Sequence, residues 1–315
     1  MKKNLATLLV LGLLCLTVNS GRAFFEQHSK LENEAPGPQQ VNPENPGEPN
    51  LLVDAQSTTG PTPPPGVQVK TTLLPSPKAV ILSGVPSYLW HDGCGPTAVG
   101  MVFGYWDSHG YDWMIPGSAI TQTAQVDEAI SSSLGMSNHL MDYAEPKDYA
   151  PNPLIADLSE PWGTSGRPDD SIADFMRTSR SFYSNYYGWS WFSDVKRSFL
   201  GYFDRVNPPS YYAISTNLYY TDLWENFIAE INAGRPMVFL VDTSGDSSTD
   251  HFVTAIGYDV VGDVKMYAAL NNWVSGVQWY AFKPLGYGNF WGIFGGTTFK
   301  ITLLEKALYL PNVKK

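Results

Sequence analysis

The chain is poor in charge and poorer in cysteine. Only 16% of its 315 residues are charged, with 20 Lys and Arg against 30 Asp and Glu, a net charge of −10. Such a balance gives no electrostatic reason to approach phosphates and excludes a general nucleic-acid binder. Apolar residues are not short: at 43% hydrophobic the chain cannot be disordered throughout, and its length makes one large domain or two small ones. Beyond the first twenty-odd residues no run is long and apolar enough to span a bilayer. Gly-x-Ser-x-Gly, His-Glu-x-x-His and a phosphate-binding glycine loop are also missing, which argues against an α/β serine hydrolase, a zincin and a nucleotide enzyme. His91, His109 and His139 lack metal-ligand spacing. Asp242, Asp246 and Asp250 do not form an EF-hand pattern, so no metal or other cofactor is expected.

There are two cysteines, Cys15 and Cys94. Cys15 falls in the apolar stretch Leu5 to Val18, which follows Lys2 and Lys3 and precedes Gly21-Arg22-Ala23. That pattern predicts a signal peptide over residues 1–23 and a secreted, periplasmic or cell-surface protein. The processed chain would then keep one thiol, Cys94, which has no intramolecular disulfide partner. A lone thiol in an oxidising compartment is a liability unless it is buried or used.

Residues 24–78 carry 11 of the 24 prolines among polar neighbours, a composition that predicts a disordered, extended spacer. An autoinhibitory propeptide is the alternative, although no amphipathic helix is there to carry it. Residues 79–315 read as one domain. Val99, Val102, Phe103 and Trp106 share one helical face in the stretch Gly95 to Trp106, and Ser171–Thr178 and Asp222–Ala233 are further helix candidates. Strands are predicted over 237–242, 252–258, 265–270, 277–283 and 297–303. Helices first and a mainly antiparallel sheet afterwards make an α+β fold, with the helical part packed on the sheet.

Chemistry concentrates at three places. Gly93-Cys94-Gly95-Pro96-Thr97 opens the first helix, where Pro96 suits the first turn and the helix start favours a thiolate. His251 opens the strand Asp250 to Tyr258, and Asn271-Asn272-Trp273 closes the next strand with an amide able to hold an imidazole. A thiol at a helix start, a His base and an orienting Asn are the parts of an activated nucleophile.

These three motifs resemble those of the papain-like cysteine peptidases, and within them the bacterial branch that cleaves double-glycine leader peptides from bacteriocins. The resemblance spans nearly all of residues 79–303. It implies the papain-like fold, Cys94 as nucleophile, His251 as general base, Asn271 as the residue orienting His251, and Trp273 shielding that bond. It also implies hydrolysis of a peptide or protein substrate, and a monomer is expected. Amidase or acyl-transfer chemistry and a non-cleaving peptide- or wall-binding domain are the alternatives. The family's Gln, about six residues before the nucleophile, is replaced by Tyr88. The Cys94 amide, Trp90 and His91 are the remaining candidates for the oxyanion donor.

Overall fold

The computed structural model describes residues 54–132, 149–155 and 169–304. All belong to the unit Pro38–Lys315; the other unit, Met1–Gly37, lies outside the described residues. The expected signal peptide, residues 24–53 of the expected spacer and residues 305–315 also lie outside them.

The central element is helix α1, Cys94–Ser108. It is buried on almost every side, which is why its sequence is apolar nearly all round rather than along one stripe. Short helices α2 (Ala124–Ile130) and α3 (Ile172–Phe175) pack beside it. The second helix candidate proves to be the single turn of α3, with a capping box between Ser171 and Asp174. Helix α4, Phe192–Val206, was not anticipated: its start lies in an aromatic-rich stretch whose pattern is dominated by Tyr and Trp. Helix α5, Tyr220–Asn232, covers the opposite side of the molecule.

Between these layers lies an antiparallel sheet. Its strands are β2 (Val80–Ile81), β4 (Tyr211–Tyr219), β5 (Met237–Asp242), β6 (His251–Val261), β7 (Val264–Leu270), β8 (Gln278–Ala281) and β9 (Gly292–Leu303). The order is β4-β9-β5-β6-β7-β8, with β2 added to β6. Alternate residues of β5 and β6 face different layers. Val238, Leu240, Phe252 and Ile256 pack with α1 and α4, whereas Phe239, Val241, Val253 and Ala255 pack with Leu223 and Phe227 of α5. Burial on both faces explains why the two strands read as nearly continuous apolar runs. The α+β architecture is the one expected from sequence, with the helices preceding most of the sheet.

The expected spacer is not uniform. Residues 54–78 are packed on the domain: β1 (Gln56–Ser57) pairs antiparallel with β3 (Ser190–Trp191), and the carbonyls of Gln68 and Val69 accept hydrogen bonds from Trp291 and Tyr280. Proline prevents helix, but it does not prevent an extended chain from pairing at an edge or lying along a surface.

Candidate active site

Cys94 is the first residue of α1 and is fully buried. The loop before it is tied to the first helical turn by Thr97, whose hydroxyl donates to the Gly93 carbonyl at 2.7 Å and accepts from the His91 N–H at 3.0 Å. Gly95 serves packing here: a β-carbon on it would lie 2.5 Å from Cε of Met176. The thiol accepts from the Phe252 backbone N–H and faces the hydroxyls of Ser57 and Thr59. Burial pushes the thiol up to about 11, and the nearby Asp250 charge adds to the rise. The field at the helix start was expected to lower this value; desolvation outweighs it.

His251, next to the Phe252 whose N–H meets the thiol, opens β6 and is also fully buried. Its Nε2 lies 2.8 Å from the backbone carbonyl of Asn271. A carbonyl can only accept, so Nε2 carries the proton and Nδ1 is the free base. Nδ1 lies 3.0 Å from the Thr59 hydroxyl. The Trp273 ring stacks on the imidazole at 3.5 Å between centroids and 14° between planes. Burial pushes His251 down to about 3, against the Asn271 carbonyl, which favours the charged ring.

Asn271 therefore meets His251 through its main chain. Its side-chain oxygen accepts from the N–H groups of Trp273 and Val274, and its Nδ2 donates to Val69 and Tyr280. The neighbouring Asn272 ties the nucleophile's helix to the strand that carries the base: its Nδ2 donates to the carbonyls of Cys94 at 3.3 Å and Phe252 at 3.0 Å. Its carbonyl accepts from the Trp90 N–H, and its φ of 50° lies in the left-handed region that Asn tolerates well. Thr254 adds a second tie between β6 and α1, donating to the Ala98 carbonyl at 2.9 Å.

Tyr88, at the position of the family's Gln, and the candidates His91 and Trp90 separate. Tyr88 is a core residue. Its hydroxyl donates to the Ala119 carbonyl, and it leans over Gly104, ten residues along α1 from Cys94. His91 is half-buried, its ring between Asp92 at 3.6 Å and Asp127 at 3.8 Å. Trp90 packs its indole over Gly188, beside the Gly93 backbone, and its buried Nε1 has no partner among the described residues. Of the side chains proposed from sequence, it alone offers a spare donor next to the nucleophile loop.

The Peptidase_C39-like family is matched over residues 82–298, well over half of the chain and containing Cys94, His251 and Asn271. The chain belongs to the Peptidase_C39-like family. No curated protein matches it. A solved structure from work on the limited antibody cross-reactivity between the mite allergens Blo t 1 and Der p 1 is similar over 74% of this chain and 73% of its own, at 13% identity and a TM-score of 0.32. Family membership makes this a cysteine peptidase-like domain with the α+β papain-like fold.

In this C39-like domain the site is closed from outside by residues 54–60. Ser57 and Thr59 are buried, and Thr58 between them is exposed, the alternation of an extended strand. The Asp250 carbonyl accepts from the N–H groups of Thr58 and Thr59 at 3.0 and 3.1 Å, and from the Thr59 hydroxyl at 2.7 Å. Trp273 Nε1 donates to the Gly60 carbonyl at 3.1 Å. Sequence reasoning did not single out Ser57, Thr59 or Asn272. Among the described residues no group of His, Cys, Asp and Glu is placed to hold a metal ion; Asp242 instead accepts the N–H groups of Ser244, Gly245 and Ser247 in a turn.

Proposed function

We propose that this protein is an exported cysteine peptidase that hydrolyses peptide bonds with Cys94 as nucleophile and His251 as base. The observation that carries it is the joint setting of the two residues: one at a helix start, one at a strand start, linked by Asn272 through Cys94 and Phe252. His251 already has the tautomer the chemistry needs, with Nδ1 free and Nε2–H held by the Asn271 carbonyl. Nδ1 takes the proton from the Cys94 sulfur, and the sulfur attacks the substrate carbonyl carbon. The resulting oxyanion is met by backbone N–H and by Trp90 Nε1. As the C–N bond breaks, the imidazolium Nδ1–H protonates the leaving amine. Water, deprotonated by Nδ1, then attacks the thioester, releasing the acid and restoring the thiol.

Trp273, stacked on the ring, keeps water from the Nε2–H bond. The exported setting rests on the apolar N-terminal stretch and directs the activity to peptides outside the cytoplasm. The direct test is hydrolysis of a mixed peptide library by Thr59→Arg, which opens the cover over Cys94, and by the same chain carrying Cys94→Ser or His251→Ala. Cleavage by Thr59→Arg, lost in both double variants, supports the reading. Cleavage that survives Cys94→Ser overturns it, and binding of peptide without cleavage in all three leaves a peptide-binding domain.

A further inference from the structure

We propose that the edge of the sheet at β4 is the seat of a second copy of this chain, so that two copies pair antiparallel about a two-fold axis at Ser215 and their sheets run on into one another. The inference is independent of the chemistry read for Cys94 and His251, and it replaces the expected monomer with a dimer.

The two ends of the sheet are finished differently. At one edge β8 is four residues long and has residues 69–71 lying over it: the Val69 carbonyl accepts from the Tyr280 hydroxyl, and the Thr71 N–H donates to Gln278 at 3.2 Å. At the other edge β4 runs for nine residues in unbroken register with β9, and no strand among the described residues pairs with its outer side. Charge, proline and bulges are the devices that keep an edge from pairing, and Tyr-Tyr-Ala-Ile-Ser-Thr-Asn-Leu-Tyr has none of them.

Strand alternation decides which main-chain groups are open. The Leu304 N–H donates to the Ser210 carbonyl and the Thr216 N–H to the Thr298 hydroxyl, so the even-numbered residues turn their main-chain groups toward β9 and the odd-numbered ones turn theirs outward. Tyr211 is closed off, its N–H donating to the Pro208 carbonyl and its carbonyl accepting from Asn207 Nδ2. Tyr219 is the N-cap of α5, whose first turn takes its carbonyl. Between them Ala213, Ser215 and Asn217 keep N–H and C=O groups without a partner among the described residues.

This spacing is its own complement. With Ser215 set opposite Ser215 of a second copy, Ala213 falls opposite Asn217, and every open group of one copy meets one of the other. Any other antiparallel register in phase with these groups sets at least one of them against a residue already closed. The same register brings Tyr212 and Ile214, 41% and 45% exposed, beside Leu218 and Thr216 of the second copy. A net charge of −10 opposes the approach of two copies in general, but β4 is uncharged and its neighbour opposite Ile214 is Lys300. A second copy, unlike an arbitrary peptide, brings a strand whose open groups have this spacing and whose ends are already closed.

The test is sedimentation of the full chain from about 1 to about 200 µM. A contact of one strand lies at the low end of interface sizes, so a monomer–dimer equilibrium with a Kd on the order of 10 µM is expected. Ile214→Glu leaves a carboxylate beside Lys300 on its own sheet but brings two carboxylates together near the axis of the pair. It should weaken the dimer at least about tenfold, and salt at about 1 M should restore part of the loss. Val260→Glu, at a similarly exposed apolar site on the β6–β7 hairpin, should leave the dimer unchanged. In the wild type, with no variant needed, the amides of Ala213, Ser215 and Asn217 should exchange severalfold more slowly at the top of the concentration range than at the bottom. A chain that stays monomeric throughout, a dimer equally strong in Ile214→Glu, one weakened as much by Val260→Glu, or one that leaves those amides unprotected overturns the proposal. A monomer that dimerises only once residues 305–315 are removed also overturns it, since the chain's own end would then be the occupant of the edge.

Discussion

The Thr59 hydroxyl stands 3.0 Å from Nδ1 of His251, on the ring nitrogen that has to receive the nucleophile's proton. The other ring nitrogen is held by the Asn271 carbonyl, while the Thr59 proton goes to the Asp250 carbonyl, so the Thr59 oxygen covers Nδ1 without donating to it. With His251 pushed down to about 3 and Cys94 up to about 11, the proton stays on sulfur in the closed form. The full wild-type chain should therefore alkylate slowly at neutral pH, with its rate still climbing above pH 9. A rate that levels off below pH 8 would mean that the thiolate already exists in the closed site.

Asp250 gives a stability test. Burial, reinforced by the charges of Asp242 and Asp246, pushes its carboxyl from 3.8 up to about 7, against the hydrogen bonds from Thr243. The folded chain thus holds this proton more tightly than the unfolded chain. The stability that this group supplies is full below about pH 4 and falls as pH rises toward 7, by an amount on the order of 1–3 kcal/mol. Asp250→Asn should flatten the fall in denaturant midpoints between pH 4 and 8. An unchanged slope would place the pH dependence elsewhere.

Asn272 should matter more than Asn271 for the alignment of the pair. Asn272→Gly keeps the left-handed backbone but removes the amide that donates to both the Cys94 and Phe252 carbonyls, at a cost of about 1 kcal/mol. The expected signature is a drop in kcat with little change in KM, alongside that loss of stability in urea. Asn271→Ala removes the bonds to Val69, Tyr280 and the turn N–H groups but leaves the carbonyl that holds His251. It should destabilise the turn and spare the pH dependence of turnover.

Trp90→Phe removes an indole N–H that has no partner among the described residues, so stability should change little. If that donor meets the oxyanion, kcat should fall on the order of 10²–10³. Turnover equal to wild type would leave backbone N–H groups as the sole donors.

Much of this was legible in the sequence because the deciding residues sit at element boundaries. Pro96 and the glycines around Cys94 mark a helix start, and the apolar runs 237–242 and 252–258 mark strands that both prove to be buried on two faces. Helix α4 and strand β4 were not legible. Helix α4 has its buried stripe at Phe192, Val195, Phe199, Tyr202 and Phe203, but the stripe begins inside the aromatic run 182–192, which hides where it starts, and the aromatics of β4 pack on it from the next layer, as Tyr219 does on Phe192. Nor was the role of residues 54–60, since an extended strand held by main-chain bonds leaves no side-chain signature. The absence of proline between Pro49 and Pro61 was its one sign. The protonation of the pair was misjudged for a related reason: the helix start is visible in sequence, but the segment that buries it lies some forty residues upstream.

The most direct measurement is the pH dependence of Cys94 alkylation in Thr59→Arg, with and without His251→Ala. With the cover over Cys94 opened, the account predicts reaction that persists below pH 7 and moves up toward about 8.5, the ordinary thiol value, when His251 is removed. The same limb in both proteins would mean that Cys94 and His251 are not a reacting pair.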